Sequence, residues 1–336
     1  MTPAAFVALG GGHGLSATLS ALRRLTDRIT AVVTVADDGG SSGRLRDELD
    51  VLPPGDLRMA LAALCEDSDW GRTWRDVLQH RFTSAGDLDQ HAVGNLLIVA
   101  LWELLGDTVD GLDWVGRLLD AKGRVLPMAA VPLAIEADVV HADGTHGVVR
   151  GQSKVALTTD RIAQVRLTPE RPPALAESVA AVRAADWVVL GPGSWYTSVI
   201  PHLLVPELAD ALLTTPARRI VVMNLQSESE TEGMGPCEHL DALRQHAPDL
   251  RLDAVIADPR AVEDVDELAE RTEGFGGRLL LRQVRRGDGT PQHDPLRLAA
   301  AISDVVQDYL GDVGAPASPT PTGTHPAADT SGGMAR

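Results

Sequence analysis

The feature that most constrains this fold is a cluster of four glycines within five residues, Gly10-Gly11-Gly12-His13-Gly14, directly after the short apolar segment 6–9. Leucines then recur at helical spacing over residues 15–25, and a β-branched segment follows at residues 29–35. A strand, a glycine turn, a helix and a second strand in this order open a doubly wound sheet. The sequence therefore predicts an α/β fold with a Rossmann-like, mostly parallel sheet.

Two additions to that sheet are predicted from the middle of the chain. Residues 53–122 have mainly helical patterning and are expected to form a helical insertion, with Asp56 as the N-cap of its first helix. Residues 148–157 and 162–167 alternate apolar and polar side chains. We expect these two segments to pair with each other as a small antiparallel extension.

The limits of the folded part follow from a change in composition near the end of the chain. Alternating strand and helix patterns return at residue 174, and residues 1–312 are therefore predicted to form a single domain. Residues 315–336 are rich in Ser, Thr and Pro and have too few apolar side chains to build a core. We expect this tail to be disordered.

Charge and cysteine content exclude several classes of partner. Lys and Arg number 30 against 47 Asp and Glu, which gives a net charge of −17 and argues against nucleic acid or an anionic membrane surface. No apolar run approaches the ~18 residues of a membrane span. Cys65 and Cys237 are the only cysteines, so a disulfide framework is absent and a cytoplasmic protein is expected. Only Lys122 and Lys154 are lysines, so cationic ligand contacts are expected from arginines.

The first glycine turn is a candidate phosphate site formed by Gly11, Gly12, His13 and Gly14. Glycines allow a ligand to approach the backbone closely, and the start of a helix offers free N–H groups with a partial positive charge. A tight strand-to-helix turn without a ligand is the alternative. Four glycines exceed what such a turn requires, so we favour phosphate binding.

A second candidate loop follows the next strand. Asp37 and Asp38 precede Gly39, Gly40, Ser41 and Ser42, a run of carboxylates and small donors that suits a hard cation such as Mg²⁺ or the hydroxyls of a ligand. Gly12 to Ala17 also matches the dinucleotide pattern G-x-G-x-x-A, with Asp37 downstream, so a nicotinamide oxidoreductase is a rival hypothesis. The acid of that pattern normally stands alone, whereas here two acids lead into a glycine- and serine-rich loop, and no NAD is expected.

A third turn of the same kind occurs in the second half of the chain, where Gly191, Gly193 and Ser194 follow a buried apolar segment. Asn224 ends the next predicted strand, and Asn95 lies near the start of an apolar helix, where a buried amide needs partners. Ligands of open α/β sheets bind outside the carboxyl ends of the strands. We therefore expect the three turns to converge on one cleft. P-loop and Ser-His-Asp patterns are absent from the sequence.

Several of these segments together resemble the gluconeogenesis factor (YvcK-like) family, whose relatives are the 2-phospho-L-lactate transferase (CofD-like) enzymes. The resemblance spans residues 6–310 and is carried by motifs that occur in order: GGGHGLS, VTVADDGGSSGRLR, LPPGDLR, HAVGNL and LGPGSWYTSVIPHLLV. His13 and Met59 depart from it, standing where Thr and Asn are expected. The histidine would make ligand binding sensitive to pH.

This resemblance implies a nucleotide-type ligand. In the gluconeogenesis factor branch the implied ligand is a UDP-sugar such as UDP-N-acetylglucosamine, and the implied role is regulatory, in cell shape and envelope metabolism on gluconeogenic carbon sources. In the transferase branch a guanosine diphosphate-linked phospholactyl donor reacts with a deazaflavin, with a divalent cation. Carried onto this chain, Gly11 to Gly14 would hold phosphate and Asp37 with Asp38 the cation or polar ligand groups. The remaining cleft residues would be Ser41, Ser42, Asn95, Gly193 and Ser194. A homo-oligomer is compatible with either function.

Overall fold

The computed structural model describes residues 3–308 and contains two sheets. The tail predicted for residues 315–336 lies outside the described residues. The larger sheet has seven strands in the order β10-β9-β8-β7-β1-β2-β3, and every neighbouring pair is parallel. Its strands are β1 (Phe6–Gly10), β2 (Ile29–Val33), β3 (Arg124–Pro127), β7 (Trp187–Leu190), β8 (Arg218–Val222), β9 (Ala254–Ala257) and β10 (Arg278–Leu281).

Helices connect the strands of this sheet and fill the insertion between β2 and β3. The helices within the described residues are α1 (Gly12–Leu22), α2 (Gly40–Leu49), α3 (Gly55–Leu64), α4 (Asp69–Gln79), α5 (Val93–Leu105), α6 (Thr108–Leu118), α7 (Gln152–Leu157), α8 (Ala176–Ala184), α9 (Pro206–Thr214), α10 (Pro236–His246), α11 (Val265–Gly274) and α12 (Pro295–Val306). Among residues 3–308, no helix has the length and apolar character that crossing a membrane requires.

The strand order confirms the predicted doubly wound sheet. From the centre, one half of the chain winds outward through β1, β2 and β3, and the other half winds the opposite way through β7 to β10. The direction of winding changes between β1 and β7, which are hydrogen-bonded neighbours. In such sheets the loops that leave the two central strands diverge and open a crevice, which is where ligands bind.

The burial of the central strands explains why the sequence patterns there are continuous rather than alternating. All residues of β1, β7 and β9 are buried, as expected for a parallel sheet covered on both faces. With few aromatic residues, Leu, Val, Ile and Ala supply most of this core, and Trp195 is the largest fully buried side chain among the described residues.

The small antiparallel sheet exists, but the predicted pairing within it is wrong. Its order is β5-β4-β6, with β4 (Ala134–Val140) in the centre, β5 (His146–Arg150) on one side and β6 (Arg161–Thr168) on the other. Residues 152–157, predicted as strand, form α7 instead. The side chains of β4 alternate between buried and partly exposed, and Glu136 on its polar face forms ion pairs of 3.1 Å with both Arg150 and Arg166. Each outer strand therefore finds its charge partner on β4 rather than on the other outer strand.

The helices α3 to α6 lie where the helical insertion was predicted, but Asp56 is not the N-cap of α3. Pro54 takes the cap position, and Asp56 lies in the first turn, where its carboxylate accepts a hydrogen bond from the Thr34 hydroxyl (3.0 Å). The first turn of α3 is thus tied to the chain just beyond β2. This contact brings a third aspartate to the edge of the sheet on which Asp37 lies.

Candidate functional site

The turns after β1 and β7 touch each other at the point where the winding of the sheet changes. A Cβ atom placed on Gly14 would lie 2.1 Å from the carbonyl oxygen of Pro192 and 2.6 Å from Cα of Gly193. Gly193 itself has φ +137° and Gly12 has φ +56°, backbone conformations that other residues rarely adopt. Two of the three predicted turns are therefore in direct backbone contact, and glycine is required for that contact.

Helix α1 begins inside the first of these turns. Gly11 is its N-cap and has no side chain to satisfy the first N–H groups, and no acidic residue lies in the first turn. The carboxylate of Asp56 accepts a hydrogen bond from the Gly12 amide. The next backbone amides lie at the N-terminus of the helix. Such termini bind phosphate groups, since the partial positive charge of the helix is concentrated there.

A cleft of about 300 Å³ opens beside these two turns. Its lining includes His13, Gly14, Gly193 and Asn224, together with Arg286 from the segment after β10. The side chain of His13 is exposed. A volume of this size accommodates a small ligand, and the cleft is contributed by both halves of the doubly wound sheet.

Asn224 fixes the shape of the turn after β7. Its side-chain oxygen accepts a hydrogen bond from the Gly193 amide (2.9 Å), and its side-chain nitrogen donates to the Gly193 carbonyl (3.0 Å). Ser194 donates from its hydroxyl to the Glu228 carboxylate at 2.6 Å. Gly191, with φ +72°, accepts a hydrogen bond from the Thr18 hydroxyl through its carbonyl (2.8 Å), which links the turn to α1. The turn is thus held in position before any ligand binds.

We expect Asn224→Ala to weaken ligand binding about tenfold, because the Gly193 amide and carbonyl both lose their partner and the turn loosens. The measurement is the dissociation constant of the ligand by calorimetry, together with amide hydrogen exchange of the 191–194 segment. Faster exchange without any loss of affinity would show that the shape of this turn does not matter for binding.

The adjacent acidic groups at the end of β2, which the sequence predicts as cation ligands, make separate hydrogen bonds. Asp37 accepts a hydrogen bond from the Gly39 amide (2.9 Å), whereas Asp38 is exposed and accepts one from the Ser153 amide (2.9 Å) at the start of α7. The two adjacent carboxylates therefore engage different partners. Asp37 lies close enough to both Asp38 and Asp56 for their charges to interact.

Burial is the main cause that raises the pKa values of Asp56 and Asp37, and a neighbouring carboxylate adds to it in each case: Asp37 for Asp56, and Asp38 for Asp37. Burial, together with the negative charge of Asp37, raises the pKa of Asp56 to about 6. Burial likewise raises the pKa of Asp37, and the Ser42 hydroxyl and the Gly39 amide lower it only in part. Two carboxylates held together without a full counter-charge favour the binding of a cation or a proton.

The serines of the second loop, Ser41 and Ser42, are buried and connect the loop to neighbouring helices by hydrogen bonds. Ser42 accepts a hydrogen bond from the Gly55 amide through its hydroxyl (2.7 Å), and Ser41 lies 3.0 Å from both Nδ1 of His91 and the side-chain nitrogen of Asn95. Gly39 is the N-cap of α2, and no atom lies within 4 Å of a Cβ placed on Gly40. The glycines thus form the open part of this loop, and the serines hold it to α3 and α5.

Asn95 connects this support to an arginine that the sequence analysis missed. Its side-chain oxygen accepts a hydrogen bond from Nε of Arg58 (2.8 Å), and both residues are buried. Arg58 and Asp56 both come from the LPPGDLR segment, which the sequence analysis interpreted only as the start of a helix; Asp56 contacts Thr34 beside β2, and Arg58 contacts Asn95 of α5. Arg286 and His293, which also line the cleft, follow β10, and no sequence motif marked them as candidate site residues.

The described residues hold no group of three or more His, Cys, Asp and Glu side chains arranged for a metal ion. Mg²⁺, however, is usually held by one or two carboxylates together with ligand phosphates and water. Asp37 and Asp56 fit that requirement, since both carboxylates have raised pKa values and lie beside a helix terminus suited to phosphate.

Comparison with known proteins agrees with this architecture. Residues 6–275 match the family model described as 2-phospho-L-lactate transferase CofD. A Mycobacterium tuberculosis protein named "Putative gluconeogenesis factor" is 54% identical over 315 residues, covering 91% of each chain. The Bacillus subtilis protein named "Gluconeogenesis factor" is 35% identical, covering 89% of this chain and 97% of its own. A crystal structure of a UPF0052 family protein from Bacillus halodurans superposes with a TM-score of 0.79 at 33% identity, covering 90% of this chain and all of its own.

Proposed function

Since this chain belongs to the gluconeogenesis factor family, and to the wider group that the CofD family model describes, we propose that it binds a nucleotide diphosphate ligand of the UDP-sugar class. UDP-N-acetylglucosamine is the representative of that class on which we build the experiments. In this proposal the protein is regulatory: it links the supply of envelope precursors and cell shape to growth on gluconeogenic carbon sources.

The observation that carries the proposal is the backbone contact between Gly14 and the Pro192–Gly193 turn. It joins the N-terminus of α1 to the turn after β7 at the change of winding, where a diphosphate would interact with the amides at the start of α1 and lie against the turn. Because these donors belong to the backbone, they need no basic side chains, which agrees with the net charge of −17.

Two neighbouring regions of the site would bind different parts of the ligand. The amides at the start of α1 and the turn around Gly193 would bind the phosphates, and the 300 Å³ cleft with Asn224 and Arg286 would take the groups attached to them. Asp37 and Asp56 would hold Mg²⁺, which when bound neutralises the charge of the diphosphate. Thr34 and the Gly12 amide orient the Asp56 carboxylate toward this position by hydrogen bonding.

A transferase function is the second candidate, and the raised pKa of Asp56 favours it. In this alternative Asp56 does not coordinate the cation, and a carboxylate with a pKa of about 6 is a suitable general base near neutral pH. In that reaction an acceptor hydroxyl attacks the transferred phosphorus, its proton passes to Asp56, and the bond from that phosphorus to the phosphate oxygen of the nucleotide breaks. The nucleotide monophosphate is the leaving group.

Calorimetric titration tests the proposed UDP-sugar binding against the two alternatives, a transferase and a nicotinamide oxidoreductase. We expect micromolar binding of UDP-N-acetylglucosamine that is strengthened by Mg²⁺, weaker binding of GDP, and no binding of NADH. Tight GDP binding together with transfer of a phospholactyl group would favour the transferase instead. Binding of NADH alone would contradict the proposed ligand class.

A further inference from the structure

A second cleft of about 510 Å³ lies next to the first and is lined by arginines. It shares His13, Ser16 and Ser20 of α1 with the first cleft, and Arg23, Arg58, Arg75 and Arg81 also line it. No carboxylate is among its lining residues in the described part of the chain. This concentration of positive charge is unexpected in a protein with a net charge of −17.

Two of the four arginines already have acidic partners outside the cleft. Arg23 lies 2.8 Å from the carboxylate of Asp67, and Arg75 forms a 3.3 Å ion pair with its neighbour Asp76. Arg81 is exposed, and its guanidinium donates to the carbonyl of Gln90 at 2.8 Å. The case for a ligand therefore depends mainly on Arg58 and Arg81.

Arg58 is the group that most needs a further partner. Its exposed fraction is 3%, its Nε donates to Asn95, and its Nη1 has no hydrogen-bond partner within residues 3–308. A buried guanidinium nitrogen without a partner is energetically unfavourable, because its hydrogen bonds to water are lost and not replaced. Burial and the nearby charge of Arg81 lower the pKa of Arg58 to about 10, which is still high enough to keep it charged at neutral pH.

We propose that this arginine cleft binds the phosphate group of a second small molecule, a phosphomonoester, beside the nucleotide site. Guanidinium groups bind phosphate oxygens in pairs and tolerate removal from water better than ammonium groups do. A phosphate there would supply acceptors for the unpartnered Nη1 of Arg58 and for the guanidinium of Arg81. Because the two clefts share one face of α1, the two ligands would bind side by side.

The test uses calorimetry on the full chain with inorganic phosphate and with glucose 6-phosphate as probes. We expect the wild-type protein to bind both at low ionic strength, with tighter binding of the ester if the cleft recognises more than the phosphate group. Arg81→Gln should weaken binding at least tenfold. Arg58→Met, which keeps an unbranched apolar stem while removing the guanidinium group, should weaken it further.

Arg44→Gln is the matched control, because Arg44 is also exposed and donates to backbone carbonyls, those of Asp87 and Asp89, but does not line the cleft. Its affinity for the probes should stay within twofold of wild type. Equal affinities in Arg81→Gln, Arg44→Gln and the wild-type protein would overturn the proposal. It would also be overturned if the wild-type protein bound neither probe at a concentration of about 10 mM.

The result of this test can be distinguished from the result of a test of the proposed nucleotide site. Arg81→Gln should retain binding of UDP-N-acetylglucosamine within about threefold, and saturation with that ligand should leave phosphate binding in place. Mutual exclusion of the two ligands would show that the arginines belong to the nucleotide site and would contradict a second ligand. If UDP-N-acetylglucosamine does not bind at all, the comparison of the arginine variants still decides whether the cleft binds phosphate.

Discussion

Gly14→Ala is expected to reduce nucleotide binding at least 100-fold and to lower the melting temperature by about 5 °C. The added Cβ would meet the carbonyl of Pro192 at 2.1 Å and Cα of Gly193 at 2.6 Å. Both are backbone atoms, so no side-chain rotation relieves the clash and the turns after β1 and β7 must separate. Overpacking of this kind destabilises a protein by about 1–3 kcal/mol. Thermal unfolding and calorimetric titration measure the two effects.

Gly116→Ala in α6 is the matched control. There the added Cβ meets only Cδ2 of Leu61, at 3.9 Å, which is an ordinary contact. Alanine is favoured over glycine within a helix, so the melting temperature should stay the same or rise slightly, with unchanged affinity. If Gly14→Ala bound the nucleotide as tightly as Gly116→Ala does, the contact between the two turns would have no part in binding.

Asp56→Asn is expected to stabilise the protein at pH 7.5 without divalent cations while abolishing the effect of Mg²⁺ on ligand binding. The pKa of Asp56 is raised to about 6, so the folded state binds more protons than the unfolded state between about pH 4 and 6. The free energy of unfolding of the wild-type protein therefore falls as the pH rises through that range. Asparagine is uncharged and retains an acceptor for Thr34, so the variant should be more stable by up to about 2 kcal/mol at pH 7.5.

Urea unfolding in the presence of a chelator, from pH 4 to pH 7.5, measures this difference. The gain in stability should shrink to a small fraction by pH 4, where Asp56 is protonated in the folded state and partly protonated in the unfolded state. Asp38→Asn is the control, because Asp38 is exposed, its carboxylate accepts a hydrogen bond from the Ser153 amide, and its charge is not among those that raise the pKa of Asp56. Loss of Mg²⁺-dependent binding in Asp38→Asn, but not in Asp56→Asn, would show that the adjacent pair predicted from the sequence holds the cation.

The fold was predictable because its strongest signals are local. The segment around Gly10 to Gly14 combines an apolar strand, a glycine turn and helical spacing within 20 residues, and each of these is set by short-range chemistry. The contact between the turns at Gly14 and Gly193 was predictable from the rule that strand ends share an edge in a parallel sheet. How closely the two turns approach each other was not predictable, because that distance depends on β1 and β7 being neighbouring strands.

The errors came from contacts that local patterns do not reveal. β4 joins β5 through the turn at residues 141–145 and pairs with β6 along its other edge, and periodicity alone does not show which of the three strands lies in the centre. Asp56 was predicted as a helix cap because an aspartate after Pro-Pro-Gly fits that pattern. Only the contact with Thr34, 22 residues earlier, shows that it lies at the end of the sheet.

Hydrogen exchange with and without UDP-N-acetylglucosamine and Mg²⁺ tests the shared cleft most directly. We expect the ligand to slow the exchange of backbone amides in both the 11–15 and 191–195 segments, with little change in the antiparallel sheet. A ligand that binds tightly but protects only one of these segments, or neither, would contradict a site formed where the two turns meet.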